Sequence, residues 1–241
     1  MKNTAYIREK IESFADGYVF SYLEFMDKVD GKESVIKALN RMVQSGCLCK
    51  LSKGKFFKAE ASPFGVLAPN QYEIVKDLLE KDGQRIGYLT GLSIFNKLGL
   101  TTQLSSSIQI GRNEVRSSFK RGIYSVTFLK QKNIILEENI ALLQLLDCLR
   151  LIKKIPDSNT RDLCLRLKVL LGELSEEDMK KILDLALKYP PASRALLGAF
   201  LCDLGREEMT SALKKSLNPI TTYKIADVTR ELKSADDWRI Q

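Results

Sequence analysis

The sequence predicts an α+β protein, on three observations. Short extended runs alternate with amphipathic helical segments as far as about residue 135, and beyond it only helical spacing continues. The order helix, short strand, helix, turn, helix, two-stranded hairpin is written once, at the start. A chain of 241 residues, 44% hydrophobic and 28% charged, has the composition of an ordinary globular protein with two or three compact units.

Within residues 4–14, Ile7, Ile11 and Phe14 stand at helical spacing, which predicts a first amphipathic helix. Asp16-Gly17 ends it, and Tyr18-Val19-Phe20 is extended. Ser21 followed by Glu24 is the pattern of a capping box, so a short second helix is expected through Asp27. After the turn at Val29-Asp30-Gly31, a third helix is expected from about Glu33 to Ser45, stopped by Gly46. The stretch GCLCKLSKGKFFKA then reads as a hairpin. Cys47–Leu51 and Phe56–Ala59 pair across Ser52-Lys53-Gly54-Lys55, with glycine where a short loop needs positive φ. This is the winged helix-turn-helix order, assigned to residues 1–60. The two-residue period of a strand turns at least one of Phe56 and Phe57 into the core.

Pro63, Gly65 and Pro69 mark a linker. A helix over Gln71–Lys81, strands near 85–89, 106–111, 114–119 and 125–129, and a helix at 91–98 form a small α+β middle unit, residues 61–135. Helices at 138–154, 160–172, 175–188, 192–204 and 206–216 make an all-helical C-terminal domain over residues 136–217. Ser175 caps one of them, and Pro190-Pro191 separates two. Residues 218–241 read as a polar tail, partly ordered at best.

Net charge is +8 and the pI about 9.1, which directs attention to an anionic partner. The charge is segregated: +6 over residues 32–58, +5 over 112–132, and −3 over 173–208. The third helix places Val35, Ala38, Leu39, Met42 and Val43 on an apolar face. Lys37, Asn40, Arg41 and Gln44, at i, i+3, i+4 and i+7, share the opposite face. Those side chains suit a DNA major groove, where Arg reads guanine and Asn or Gln reads adenine. Lys32 and Ser34 stand at the helix start, where backbone N–H groups favour a phosphate. Lys53, Lys55 and Lys58 add charge from the hairpin, giving affinity rather than base choice. Arg112, Arg116, Lys120 and Arg121 form a possible secondary basic surface.

Catalysis has little footing. The chain has no histidine, the commonest general base and metal ligand. Cys47-x-Cys49 has no second pair to complete a zinc site, so no metal and no cofactor is expected. The five cysteines are odd in number and scattered, and no signal peptide or membrane-spanning run is written, so reduced thiols in a cytoplasm are expected. A protein–protein adaptor, or less readily an enzyme acting on nucleotides or RNA, stays open beside the DNA-binding reading.

The segment GYLTGLSIFNKLGLTTQ, Gly87 to Gln103, follows the hairpin and its Pro63-Phe64-Gly65 linker and precedes IQIGRN, Ile108 to Asn113. Together with KYPPASRALLGAFL, Lys188 to Leu201, it resembles the AbiEi-type antitoxins and the related DUF6088 group, from about residue 4 to 205. The resemblance implies a bacterial winged-helix transcriptional regulator that represses its own promoter at inverted repeats in double-stranded DNA. It further implies a C-terminal part that counteracts a nucleotidyltransferase-like toxin, as the antitoxin of a type IV toxin-antitoxin system. An orphan regulator without a toxin partner is the alternative. The residues carried over are those of the expected recognition helix and wing.

Overall fold

A computed structural model describes residues 2–63, 65–225 and 228–241, so Phe64 of the expected linker lies outside the described residues. The chain is mixed α+β. In order it forms α1 (Lys2–Glu12), β1 (Val19–Phe20), α2 (Lys32–Gln44), β2 (Cys49–Ser52), β3 (Lys55–Phe57), β4 (Glu60–Ser62), β5 (Gly65–Leu67) and α3 (Gln71–Leu79). There follow β6 (Glu80–Lys81), β7 (Gln84–Arg85), β8 (Gly87–Thr90), α4 (Leu92–Lys97), β9 (Ser107–Arg112), β10 (Phe119–Arg121) and β11 (Tyr124–Lys130). The rest is helical: α5 (Ile140–Arg150), α6 (Thr160–Gly172), α7 (Glu176–Ala186), α8 (Pro191–Asp203) and α9 (Ser211–Lys215).

Two compact units result where three were expected. The first comprises residues 1–78 and 119–125, the second 79–118 and 126–241. The expected middle unit is divided between the two, and its segment 119–125 is tied to α3 within the first: the Arg121 guanidinium donates to both carboxylate oxygens of Asp77, at 2.6 and 3.1 Å, and to the Ile74 carbonyl at 2.7 Å.

In the first unit, Ile7 and Ile11 of α1 pack with Val35, Leu39 and Met42 of α2 around a cluster of aromatic rings. Phe20 meets Phe14 at 5.1 Å, Phe25 edge-on at 5.9 Å and Phe56 at 6.3 Å, between ring centroids. The sheet runs β1-β3-β2, all antiparallel, with Val19 opposite Phe57 and Cys49 also opposite Phe57. Both Phe56 and Phe57 are buried, and since adjacent strand residues point to opposite sides, both faces of β3 are covered. The Glu73 carboxylate of α3 accepts the Val19 backbone N–H at 2.9 Å, at the β1 edge of this sheet.

Two local expectations need correction. The second helix is one 3-10 turn, Tyr22–Phe25, and the Ser21 hydroxyl accepts from the Leu23 N–H rather than closing a capping box. A single turn leaves most backbone groups without helical partners, and i→i+3 pairing satisfies more of them. The expected linker instead forms the β4–β5 hairpin, with Glu60 opposite Leu67 and Ser62 opposite Gly65. Glycine in positive φ, +109° at Gly65, closes a hairpin as readily as it breaks a helix.

In the second unit β8 and β9 pair antiparallel, with Tyr88 opposite Gly111, and β11 flanks β9. A Cβ on Gly111 would stand 2.4 Å from the Tyr88 ring, so only glycine lets that ring lie across the strand. The ring carries its hydroxyl to Asp147, which stands among the leucines of α5. Asp147 is fully buried and accepts from Tyr88 at 2.8 Å, Thr90 at 2.9 Å and Tyr189 at 3.0 Å. The Gln131 amide donates to both tyrosine hydroxyls, at 2.8 and 2.9 Å, and accepts from Asn133. Burial pushes the Asp147 carboxyl up to about 6, against the pull of its three hydroxyl donors.

The expected polar tail is part of the core. Tyr223, Ile225, Val228, Leu232, Ala235, Trp238 and Ile240 are buried among the C-terminal helices. Asp203 accepts the backbone N–H groups of Lys233 and Ser234 at 3.1 and 2.9 Å, and the Lys168 ammonium at 2.8 Å. Burial opposes ionisation of Asp203, but these donors outweigh it and hold its carboxyl below the ordinary range. The segment looked polar because its apolar residues follow neither helical nor strand spacing. They pack one at a time through 3-10 turns and a bridge between Tyr223 and Ile240.

Candidate nucleic-acid interface

Helix α2 is oriented by its buried face. Val35 and Leu39 are 0% exposed, with Ala38 and Met42 buried beside them, so the stripe half a turn away must point outward. Lys32, Ser34, Lys37, Arg41 and Gln44 are exposed, and Asn40 is half-buried. The Lys32 ammonium stands 4.8 Å from the Tyr22 ring centroid, beside the helix start. At the other end Gly46, with φ +75°, turns the chain, and the Met42 carbonyl accepts from both Cys47 and Leu48.

The hairpin after α2 has Gly54 at its tip with φ +74°, as the loop requires, and an irregularity between Lys50 and Ser52. Its three expected lysines have different surroundings. Lys53 is exposed. Lys55 is paired with Asp77 at 3.3 Å, on the same carboxylate that holds Arg121. Burial would raise the Asp77 carboxyl, but Arg121 and Lys55 outweigh it and hold it below the ordinary range. Lys58 pairs with Asp16 at 3.1 Å and donates to the Phe14 carbonyl at 3.2 Å. Lys55 and Lys58 therefore carry charge already matched within the first unit. Lys50, on β2, is exposed as well and adds a further cation to the hairpin; its alternation with the buried Leu51 is the signal for it in the sequence.

The secondary basic surface needs correction. Arg112 and Arg121 are 6% and 8% exposed, so neither presents its charge to solvent. Arg121 is held by Asp77 and the Ile74 carbonyl, while Arg112 ends β9, a strand of the second unit's sheet. Burial lowers the Arg112 pKa, as does the Arg116 charge. Arg116 and Lys120 are exposed, but Arg116 belongs to the second unit and Lys120 to the first. Sequence spacing shows charge density and not which guanidinium a distant carboxylate holds.

The described residues thus define a mixed α+β protein, small sheets and helices, in which no helix is long and apolar enough to cross a membrane. The chain belongs to the DUF6088 family, described as a family of unknown function, whose model matches residues 6–185. The fold is similar to the crystal structure of RV2827C protein from Mycobacterium tuberculosis, with a TM-score of 0.58 and 14% sequence identity. That match covers 92% of this chain and 84% of the other. No curated protein matches the sequence.

Proposed function

We propose that the first unit is a winged helix-turn-helix that binds double-stranded DNA, with α2 as recognition helix and the β2–β3 hairpin as wing, and that the chain is a transcriptional repressor of its own promoter. What carries the reading is the exposed row Lys37, Arg41 and Gln44 on a helix whose other face is locked in a core, followed directly by a hairpin presenting Lys50 and Lys53. Lys32 and Ser34 at the helix start are placed for phosphate. The resemblance to AbiEi-type antitoxins supports a second role, neutralising a nucleotidyltransferase-like toxin, with the second unit as its seat. No catalytic step is assigned to the chain.

Arg41→Ala in the full chain is expected to weaken binding to the DNA upstream of its own coding sequence by about 1–3 kcal/mol and to relax preference at one base position. Gel shifts against singly substituted duplexes measure both. Unchanged affinity together with unchanged preference would remove Arg41 from base readout and the helix from its assigned role.

The two wing lysines are expected to behave differently. Lys53→Ala should reduce the slope of log K against log salt by about one unit, the loss of one phosphate contact. Lys55→Ala should leave the slope nearly unchanged, because Lys55 is already paired with Asp77. Equal slopes for all three proteins would show that the wing tip does not touch phosphate.

A further inference from the structure

We propose that the second unit holds a binding site for a small phosphorylated ligand of nucleotide size, carrying at least two phosphate groups. The site is a cleft of about 620 Å³ formed where the end of β11, the end of α5 and the start of α8 converge. Its volume lies within the range of small-molecule pockets, roughly 300–1,000 Å³.

Five cations line it: Lys130, Lys132, Arg150, Lys188 and Arg194, with no carboxylate among the lining residues. None of the five is in an ion pair among the described residues. Elsewhere in the chain cations meet acids: Lys168 meets Asp203, Arg206 meets Glu176, and Arg85 meets Glu80 and Glu137. Like charges converging on one concavity repel, and an anion of several charges relieves that repulsion.

Three of the cations are held in place by backbone acceptors. Arg150 donates to the Lys130 carbonyl at 2.8 Å, Arg194 to the Ser216 carbonyl at 3.0 Å, and the Lys130 ammonium to the Asn113 carbonyl. A backbone carbonyl orients a guanidinium without neutralising it, so its remaining N–H groups stay available to phosphate oxygens. The Nε of Arg194 is buried with no partner among the described residues. Helix α8 begins at Pro191 on the cleft wall, which adds the positive end of a helix dipole.

The rest of the lining is Gln131 together with Leu187, Pro190, Pro191 and the Tyr189 ring. Tyr189 is fixed from behind by its bonds to Asp147 and Gln131, so the wall is rigid on that side. Cations and an apolar surface lining one cleft suit a ligand that carries both phosphates and a ring. This site lies wholly within the second unit and is independent of the helix-and-wing reading.

The test uses the full chain and calorimetric titration with inorganic pyrophosphate, ATP, adenosine and a short DNA duplex. Pyrophosphate and ATP are expected to bind saturably at one site, and adenosine far more weakly. Lys132 and Lys188 are exposed, so Lys132→Glu with Lys188→Glu should leave the thermal midpoint unchanged while weakening both anions by about tenfold to a hundredfold. Arg41→Ala should leave both affinities as they are, which separates this site from the DNA-binding helix. No saturable heat at millimolar pyrophosphate and ATP would overturn the proposal, as would equal affinity in the charge-reversed protein. Loss of duplex binding alone in that variant, with no pyrophosphate or ATP binding in wild type, would also overturn it and make the cleft a DNA surface.

Discussion

Asp147→Ala is expected to destabilise the second unit by about 3–5 kcal/mol, a fall in its melting midpoint on the order of 10 °C. The carboxylate is the shared acceptor for the hydroxyls of Tyr88, Thr90 and Tyr189 in a site without solvent. Alanine leaves those donors buried without their partner; among the described residues, Tyr189 alone has a second acceptor, the Leu143 carbonyl at 3.2 Å. Trp238, the single tryptophan, is buried in the same unit, so its fluorescence in urea reports this core and not the first unit. A midpoint equal to wild type would mean that the carboxylate does not hold the network together.

The same residue gives a pH dependence. Its folded-state pKa of about 6 stands above the ordinary 3.8, so the folded protein holds this proton more tightly than the unfolded chain. The resulting contribution to stability is fully present below about pH 4 and is lost as the pH rises through about 6. Asp147→Asn keeps one oxygen for Tyr88 and Thr90, so it should cost much less than alanine and flatten that part of the profile. An unchanged slope between those pH values in the asparagine variant would assign the titration elsewhere.

Trp238→Ala is expected to cost about 3–5 kcal/mol, more than truncating any residue of a disordered tail. The indole lies on the α8 backbone at Gly198, where an added Cβ would stand 2.2–2.4 Å from three ring atoms. Its N–H donates to the Cys202 sulfur at 3.3 Å. Gly198→Ala alone should cost about 1–3 kcal/mol through that overlap. The double substitution should cost less than the sum, because the new methyl enters space the indole has left. Urea titration followed by far-UV circular dichroism measures all three. Strict additivity would show that the two positions do not share a packing surface.

Much of the local structure was legible. Helix α2 was placed to within a residue or two, and its buried and exposed faces follow from the spacing of Val35, Ala38, Leu39 and Met42 against Lys37, Arg41 and Gln44. The C-terminal helices α6, α7 and α8 and the Ser175 cap were legible for the same reason, since the Ser175 hydroxyl accepts from the Asp178 N–H three residues on. The α2-β2-β3 part of the candidate interface was readable because all its signals lie within about thirty consecutive residues.

What the residue order determined by itself is what depends on neighbours a few positions apart: helical periodicity, caps, the glycine turns at Gly46 and Gly54, and the direction in which α2 faces. The tertiary structure alone decided which charges remain unmatched. Lys55 and Lys53 are equivalent in sequence, but Asp77, twenty-two residues beyond Lys55, holds only the first. It also decided that the last residues belong to a core, that Asp147 is embedded among leucines as an acceptor for hydroxyls from distant segments, and that five cations share one cleft. Each of these depends on loop closure across tens of residues, where no repeating spacing records the partner. Burial then sets its energetic weight, because a charge or hydroxyl matters most once water has been taken away from it.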